Sequence, residues 1–377
     1  MRNPFVYGEV VPADAFVDRE EALERLTADL AAGQKVFLIS PRRYGKSSLI
    51  ERALAAMARR GAVTLSVTVA SYSSYVAFLE GYARAVAACA EPARGPAWLR
   101  EAIGAARVDV RPGIGTDAPV VTFPAVRGAR ETARLAAEVF ALPDRLAARR
   151  RRPVVVALDE FQAIAGFDGG SVEHALRAAV QHQRQVGYVF AGSEPSLMER
   201  MLGPRRPFYK AGPVMRLDRI PADLFAAFLE TRFARSGIRP EPGLGAAIVE
   251  LAGNLPYDVQ RLAHEVWDDA RAARRKKVGL DDLHAALRRL LSEQQVFFEG
   301  VWQRLTLVQR AALRAVVFED GQELLSADTR IRYRLGGAST VQSALVALMR
   351  EEIITREGPR HLVVDSLMRE WVARRTH

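Results

Sequence analysis

An apolar run that ends at Ile39 passes into a short basic loop, and this loop carries the residues best suited to chemistry. The loop closes with Gly45, Lys46 and Ser47 at the predicted start of a helix. Backbone N–H groups and the positive end of a helix can hold a polyphosphate there. Lys46 would contact the β- and γ-phosphates, and the Ser47 hydroxyl would ligate Mg²⁺. The residues predicted to hold the nucleotide are Ser40, Pro41, Arg42, Arg43, Tyr44, Gly45, Lys46, Ser47 and Ser48.

The loop departs from the full phosphate-binding pattern at one position, because Ser40 stands where that pattern has glycine. Glycine is favoured there since it tolerates positive φ and a close approach of backbone. The sequence therefore predicts an imperfect loop. The alternative is an ordinary strand, turn and helix in which Gly-Lys-Ser occurs by chance.

Two carboxylates follow a second apolar run, at residues 154–158. Ligands bind at the carboxyl edge of α/β sheets, which is where these side chains would lie. Beside a phosphate-binding loop, Asp159 would act on the metal together with Ser47, and Glu160 would be the catalytic base that polarises water. A strand that ends in Asp-Glu is common. The pair indicates a catalytic site only because a phosphate-binding loop precedes it in the sequence.

Ser193 follows a third apolar run and is the next candidate for catalysis. Its hydroxyl could contact the γ-phosphate or the attacking water. It could equally cap the helix that begins near Pro195, and the two roles are compatible.

The order of predicted elements divides the 377-residue chain into three parts. Strands alternate with helices over residues 1–220, which predicts a parallel α/β sheet, with a Pro- and Gly-rich insertion at about 91–128. Residues 221–295 predict helices alone. Residues 296–377 predict helices followed by a β-hairpin, the outline of a winged helix.

One long helix is predicted over residues 130–149, and it runs into four arginines at 149–152. The helix dipole favours cations at a helix end, so this cluster is interpreted as a solvated terminus.

Composition narrows the classes of protein. Lys and Arg number 54 against 44 Asp and Glu, a net charge of +10, which favours an anionic partner such as nucleotide or nucleic acid. An arginine-rich proteome would give the same excess. Cys89 is the only cysteine, which excludes an intramolecular disulfide and a Cys-rich metal site. With no signal-peptide core and no apolar run long enough for a membrane span, the chain is predicted to be cytoplasmic, without membrane contact.

Seven motifs occur together in an order that resembles the archaeal-type ATPase family, a branch of P-loop ATPases near the AAA+ and STAND groups. The most specific of them is Pro-Arg-Arg-Tyr-Gly-Lys at residues 41–46. The motifs span nearly the whole chain and lie at residues 3–5, 16–20, 41–49, 158–162, 190–193, 254–257 and 364–371.

The resemblance implies a P-loop NTPase parallel sheet of AAA+/STAND type, followed by an α-helical lid and a winged-helix domain. It implies ATP or ADP with Mg²⁺ as ligands, and Val11 and Phe16 near the adenine. Pro256 and Tyr257 would close over the nucleotide from the lid. Arg261 would reach the phosphates as a sensor, unless it only solvates a helix surface.

The resemblance also implies a cation that acts on the γ-phosphate, in cis or from a neighbouring copy in a homo-oligomer. Lys210 lies near the position where the family often has arginine, and Arg206 is the alternative. Lysine lacks the planar fork of arginine, which weakens the match.

The winged helix implies contact with double-stranded DNA or with protein. Ser339 and Thr340 are predicted to cap its recognition helix. Arginines at positions 330, 332, 334, 350, 356 and 360 suit phosphate contacts.

The predicted function is a slow ATPase that works as a nucleotide-dependent switch coupled to DNA. One alternative is a nucleotide-gated signalling scaffold that contacts only protein. Another is an ATP-dependent DNA-binding regulator or transposition-type loader.

Overall fold

The computed structural model describes residues 2–8, 17, 19–90, 95–104, 108–111, 120–124, 128–167 and 170–375. The predicted adenine contacts Val11 and Phe16 lie outside the described residues. The chain forms two compact units, one of Val10–Arg219 and one of Met1–Glu9 with Ile220–His377. Each unit is described by itself below.

The unit of Val10–Arg219, here the sheet unit, alternates strands and helices. Its helices are α1 (Glu20–Ala31), α2 (Lys46–Arg59), α3 (Tyr75–Cys89), α4 (Gly95–Ile103), α5 (Ala129–Phe140), α6 (Leu142–Arg150), α7 (Ser171–Val180) and α8 (Pro195–Met201). Its strands are β1 (Lys35–Ile39), β2 (Val63–Thr68), β3 (Asp109–Arg111), β4 (Val120–Thr122), β5 (Val154–Asp159), β6 (Val186–Gly192) and β7 (Val214–Arg216).

Five of these strands form a parallel sheet in the order β2-β5-β6-β1-β7. Strands β5 and β6 are apolar and buried along almost their whole length, because helices cover both faces of a parallel sheet. The register pairs Ile39 with Gly192 and Leu158 with Phe190, so β1, β5 and β6 end at the same edge. The polar residues that follow these strands therefore meet there.

Two details differ from the sequence prediction. The segment predicted as a Pro- and Gly-rich insertion contains elements of its own, namely α4 and the antiparallel pair β3 and β4. The single helix predicted over 130–149 is two helices, α5 and α6, with Pro143 in the first turn of α6. Proline is favoured in a first turn because it has no N–H to donate, so it marks a helix start there.

The other unit, here the helical unit, contains eight helices and two strand pairs in its described part. The helices are α9 (Ala222–Arg235), α10 (Leu244–Leu251), α11 (Pro256–Ala272), α12 (Leu280–Arg304), α13 (Leu307–Phe318), α14 (Ala327–Arg332), α15 (Ala338–Arg350) and α16 (Ser366–Arg375). The strands are β8 (Arg239–Pro240), β9 (Lys277–Val278), β10 (Ile354–Glu357) and β11 (Arg360–Val363).

The first residues of the chain pack in the helical unit. The Phe5 ring is buried with its centroid 4.5 Å from that of Phe233, and the Asn3 amide donates to the His264 carbonyl at 3.1 Å. Helix α12 is continuous for 25 residues, across the predicted boundary at 295. The predicted three-part division of the chain stays a prediction.

The end of the chain has the elements of a winged helix: α13, α14 and α15, followed by the antiparallel hairpin β10–β11. Helix α15 begins at Ala338 with Gly337 at the N-cap, so Ser339 and Thr340 lie in its first turn. The prediction that their side chains cap the helix is wrong. Within the described ranges, no helix is long and apolar enough to cross a membrane.

Candidate nucleotide site

The loop between β1 and α2 shows why serine is tolerated at position 40. The Ser40 N–H donates to the Gly192 carbonyl at 3.2 Å, and the side chain is buried. Positive φ occurs instead at Arg43 (71°) and Gly45 (86°). Ser40 therefore extends the strand pairing, and the position that requires glycine is Gly45.

The rest of the loop is held by contacts within the sheet unit. Tyr44 is buried, its carbonyl accepts from the Arg19 guanidinium at 3.5 Å, and the Arg219 guanidinium lies 5.6 Å from its ring centroid. Arg42 is exposed and Arg43 is half-buried. Cations thus border the loop on its solvent side, as an anion site requires.

Lys46 is the first residue of α2, and its side chain is only 6% exposed. Its ammonium pairs with the Asp159 carboxylate and lies 3.4 Å from Glu160 Oε1. A buried charge needs such partners. Ser47 and Ser48 follow Lys46 in the first turn of α2, the end of the helix that carries the positive end of its dipole.

Ser47 Oγ and Asp159 Oδ2 are 3.5 Å apart. A hydroxyl and a carboxylate are hard oxygen donors of the kind that Mg²⁺ prefers, and Mg²⁺ takes its remaining ligands from water and phosphate. The two predicted metal residues therefore fit a magnesium ion. Their role stays a prediction.

Glu160 is held from three sides. Glu160 Oε2 accepts from Ser193 Oγ at 2.5 Å and from Gln162 Nε2 at 2.6 Å, while Oε1 faces Lys46. Burial raises the pKa of Glu160, but the Ser193 hydrogen bond, the Lys46 charge and the Gln162 hydrogen bond together outweigh it. The net pKa lies below the usual value, so the carboxylate is ionised at neutral pH.

Gln162 is the residue of this group that sequence reasoning did not assign. Its amide also lies 3.3 Å from Ser193 Oγ and 3.4 Å from a Glu194 carboxylate oxygen. Its own oxygen is buried without a hydrogen-bond partner among the described residues. The available signal was a polar residue two positions after Glu160 in an otherwise apolar turn.

The two predicted γ-phosphate cations do not join this group. Arg206 Nη2 donates to Glu173 Oε1 at 2.7 Å, and Glu173 is only 1% exposed. Burial raises the pKa of Glu173, and Arg206 opposes that rise. Lys210 is exposed and lies 5.4 Å from the Tyr209 ring centroid. Two residues later Gly212 packs on the Lys35 carbonyl, at the amino end of β1 and away from the loop.

Three predicted nucleotide residues belong to the helical unit. Pro256 begins α11, and the Tyr257 ring centroid lies 5.7 Å from that of Tyr7, edge to face. With the Gln294 amide oxygen turned toward it, Arg261 donates two hydrogen bonds of 2.8 and 2.9 Å. The nucleotide contacts of Pro256, Tyr257 and Arg261 stay predictions.

Most arginines of the winged helix contact groups of their own domain. Arg332 pairs with Glu319 at 2.6 Å and Arg360 with Asp320 at 2.9 Å. Arg330 and Arg356 donate to backbone carbonyls, and Arg350 lies 3.9 Å from Glu351. Arg334 is exposed with a left-handed backbone, φ 54°.

Comparison with known proteins agrees with this architecture. Residues 296–374 match the model of a family described as a probable winged helix domain. A Walker-type ATPase of Pyrococcus abyssi is similar in fold, with TM-score 0.65 and 15% identity over 97% of this chain and 99% of that one.

Two ORC proteins of Aeropyrum pernix are also similar in fold. Orc2, in a form with ADPNP and ADP, has TM-score 0.54 and 14% identity over 100% of this chain and 97% of its own. Orc1, solved in complex with DNA, has TM-score 0.53 and 16% identity over 98% and 97%. No curated protein matches the chain significantly. The predicted fold class is confirmed: an AAA+-type P-loop sheet with helices and a C-terminal winged helix.

Proposed function

We propose that this protein binds ATP with Mg²⁺ and hydrolyses it slowly, using the group at the carboxyl edge of the sheet. The observation that carries the proposal is the convergence of Lys46, Asp159, Glu160 and Ser193 on one another from three separate segments. Bound Mg²⁺ would be held by Ser47 and Asp159 and would offset phosphate charge. These are the parts that phosphoryl transfer to water requires.

In this proposal Glu160 orients the attacking water and takes its proton. A carboxylate with a lowered pKa is ionised at neutral pH but is a weak base. Both of its oxygens are already engaged, by Ser193 and Gln162 on one side and by Lys46 on the other. Turnover therefore requires Glu160 to exchange a protein partner for water, which suits a switch better than a fast motor.

The nucleotide would also change the pairing of Lys46. Its ammonium now pairs with Asp159 and Glu160, and a γ-phosphate would compete with both carboxylates for it. Binding would thus release Glu160 from its cation. This exchange gives the two nucleotide states different arrangements at the sheet edge, which is what a switch needs.

We infer that the switch is coupled to double-stranded DNA through the winged helix. The family match of residues 296–374 and the fold likeness to an Orc1 protein solved with DNA support this coupling. One observation favours the alternative of a signalling scaffold that contacts only protein. Arg332 and Arg360 are already paired with carboxylates, so they would contact DNA only by giving up those partners.

The first experiment measures ATP and ADP affinity by calorimetry for the wild type and for Lys46→Ala. A lost hydrogen bond to a charged group costs about 1.5–3 kcal/mol, so affinity should fall roughly 10- to 100-fold. Lys276→Ala, which removes the same charge from an exposed position of the helical unit, should bind normally. Equal affinity in the wild type and Lys46→Ala would refute the site.

The coupling is tested with a labelled DNA duplex at low salt, with and without ATP. Binding that needs ATP and is lost on replacing Arg334 supports the winged helix as the DNA contact. ATP binding without duplex binding would support the protein-only scaffold.

A further inference from the structure

A basic cleft lies in the sheet unit at the edge opposite the nucleotide site, and we call it the amino-edge cleft. Its volume is about 730 Å³. Its lining includes Pro153 and Gln185, which immediately precede β5 and β6, and Gly33, which lies two residues before β1. Because these strands are parallel, the cleft lies at their amino ends. Strand β5 has six residues, which separates the two edges by roughly 20 Å.

Three arginines from two distant segments line the cleft. Arg151 and Arg152 follow α6, while Arg184 comes from the loop after α7. All three are exposed. Arg152 donates to the Gly61 carbonyl, and in the described part of the chain none of the three pairs with a carboxylate. Asp144 is the one acidic residue among the residues that line the cleft.

The charge of the three arginines exceeds what the nearby helix ends can neutralise. Helices α1, α6 and α7 all end at this edge, and each carboxyl end carries about half a negative charge. Together they offset about 1.5 charges of the three arginines. Asp144 offsets one more, but the half-buried Lys35 ammonium restores it, so a net positive charge remains.

Lys35 shows how polar this edge is. Its ammonium donates to the carbonyls of Gly33 and Gln183, each at 2.7 Å, and of Val186 at 3.3 Å. Burial, followed by the charge of Arg177, lowers the pKa of Lys35. Lys35 thus occupies several carbonyl acceptors of this edge. The three arginines stay exposed, and no carboxylate in the described ranges pairs with them.

We propose that the amino-edge cleft binds the phosphate backbone of a nucleic acid, independently of base sequence. Arginine forks match phosphate oxygens with paired hydrogen bonds. The lining holds no Phe, Tyr or Trp, and its one ring is the exposed His182 imidazole. The three arginine forks therefore outnumber the single ring on which a base could stack. Contacts that lack base readout position a nucleic acid without reading its sequence.

The lining favours nucleic acid over an acidic protein. Stable protein interfaces centre on aromatic and large apolar anchors. The apolar side chains here are Leu30, Ala31, Ala148 and Pro153, of which only leucine is large. The affinity must then come mainly from charge, as in nonspecific nucleic-acid binding.

This site goes beyond the nucleotide-dependent function and does not rest on it. The experiment measures anisotropy of a labelled random-sequence duplex without ATP, from about 50 to 200 mM salt. The variant is Arg151→Asn with Arg184→Ser, since asparagine accepts the left-handed backbone of position 151, φ 51°. Arg235→Ser with Arg239→Ser removes the same charge from exposed sites of the helical unit.

We expect the cleft variant to lower the slope of log affinity against log salt by about two, and affinity roughly tenfold or more at the lower salt. The matched control should keep the wild-type slope. Arg184→Lys alone, which keeps the charge, should keep most of the wild-type slope. Equal melting temperatures will show that the variants fold.

Three outcomes would overturn the proposal. One is a wild type that does not bind the duplex at low salt. Another is a cleft variant with an unchanged slope, while Arg334→Asn with Arg350→Ser in the winged helix abolishes binding. The third is that polyglutamate binds the wild type as tightly as the duplex does, and that the cleft variant loses this binding. The ligand would then be an acidic protein.

Discussion

The two edges of the sheet differ in whether their cations are buried and paired with carboxylates. At the carboxyl edge the Lys46 ammonium is buried and faces the carboxylates of Asp159 and Glu160. At the amino edge Arg151 and Arg184 are exposed and have no carboxylate partner among the described residues. A ligand at the first edge must displace existing partners, so binding there changes the protein. A ligand at the second edge meets unpaired charge, so binding there depends mainly on salt.

The largest effect that we expect is the loss of ATP turnover in Glu160→Gln, and this variant tests the carboxyl edge. If the carboxyl edge performs the chemistry, removing the base should lower ATP turnover by about 100- to 10,000-fold. ATP affinity should persist, because the phosphate contacts remain. Single-turnover hydrolysis and calorimetry measure the two quantities.

The matched control is Glu24→Gln, an exposed position of α1, which should turn over ATP normally. Wild-type turnover in Glu160→Gln would remove Glu160 from the mechanism.

Gly192→Ala tests how tightly the carboxyl edge is packed. A Cβ at Gly192 would lie 2.5 Å from Met198 Sδ and 2.7 Å from Gln162 Oε1. Overpacking of this kind costs about 1–3 kcal/mol of unfolding free energy, measured by denaturant titration. Displacement of Gln162 should also slow ATP turnover.

Gly166→Ala is the comparison, since a Cβ there meets no atom within 4 Å. If both variants are equally stable, the packing described around Gln162 is wrong.

Arg206→Ala and Arg184→Ala compare a paired arginine with an unpaired one. Loss of Arg206 leaves the buried Glu173 carboxylate without its cation, which should lower the unfolding free energy by about 1–3 kcal/mol at neutral pH. Loss of Arg184 should change it by less than about 0.5 kcal/mol. Thermal melts at several pH values measure both.

The sign of the pH dependence follows from Glu173. Its pKa in the folded protein is already raised by burial and rises further without Arg206, so the folded state binds the proton more readily than the unfolded state. The destabilisation of Arg206→Ala should therefore shrink as pH falls toward the folded pKa. A deficit that grows in acid would contradict the ion pair.

The finest effect concerns Ser193→Ala. The lost hydrogen bond is the main influence that lowers the pKa of Glu160, so that pKa should rise. A base acts only when ionised, so the acidic limb of the turnover profile should move to higher pH. Ser292→Ala, at an exposed position of α12, should leave the profile in place. If the acidic limb of the profile stays in place in Ser193→Ala, Ser193 does not control the pKa of Glu160.

Local patterns were enough to predict the sheet and the principal residues of the candidate site. Lys46, Glu160 and Ser193 each follow an apolar run, and parallel strands bring such positions to a common edge. The structure does bring them together. Their catalytic roles stay predictions.

Contacts between distant segments could not be read from those patterns. Glu173 and Arg206 are 33 positions apart, and their pairing depends on how α7 and the loop after α8 pack. The same holds for Arg184 beside Arg151: the arginine run at 149–152 predicts only a solvated helix end. The strand order decides which loops become neighbours, and the spacing of residues along the chain does not contain it.

The unbroken course of α12 has a mechanical consequence. Its 25 residues make a rod of roughly 37 Å, and the residues that match the winged-helix family begin inside it. With no hinge along the rod, a tilt of about 10° at Leu280 would sweep Arg304 through roughly 6 Å, given that rise per residue. A small rotation of the first turns of α12 would thus produce a larger displacement of the winged helix at its far end.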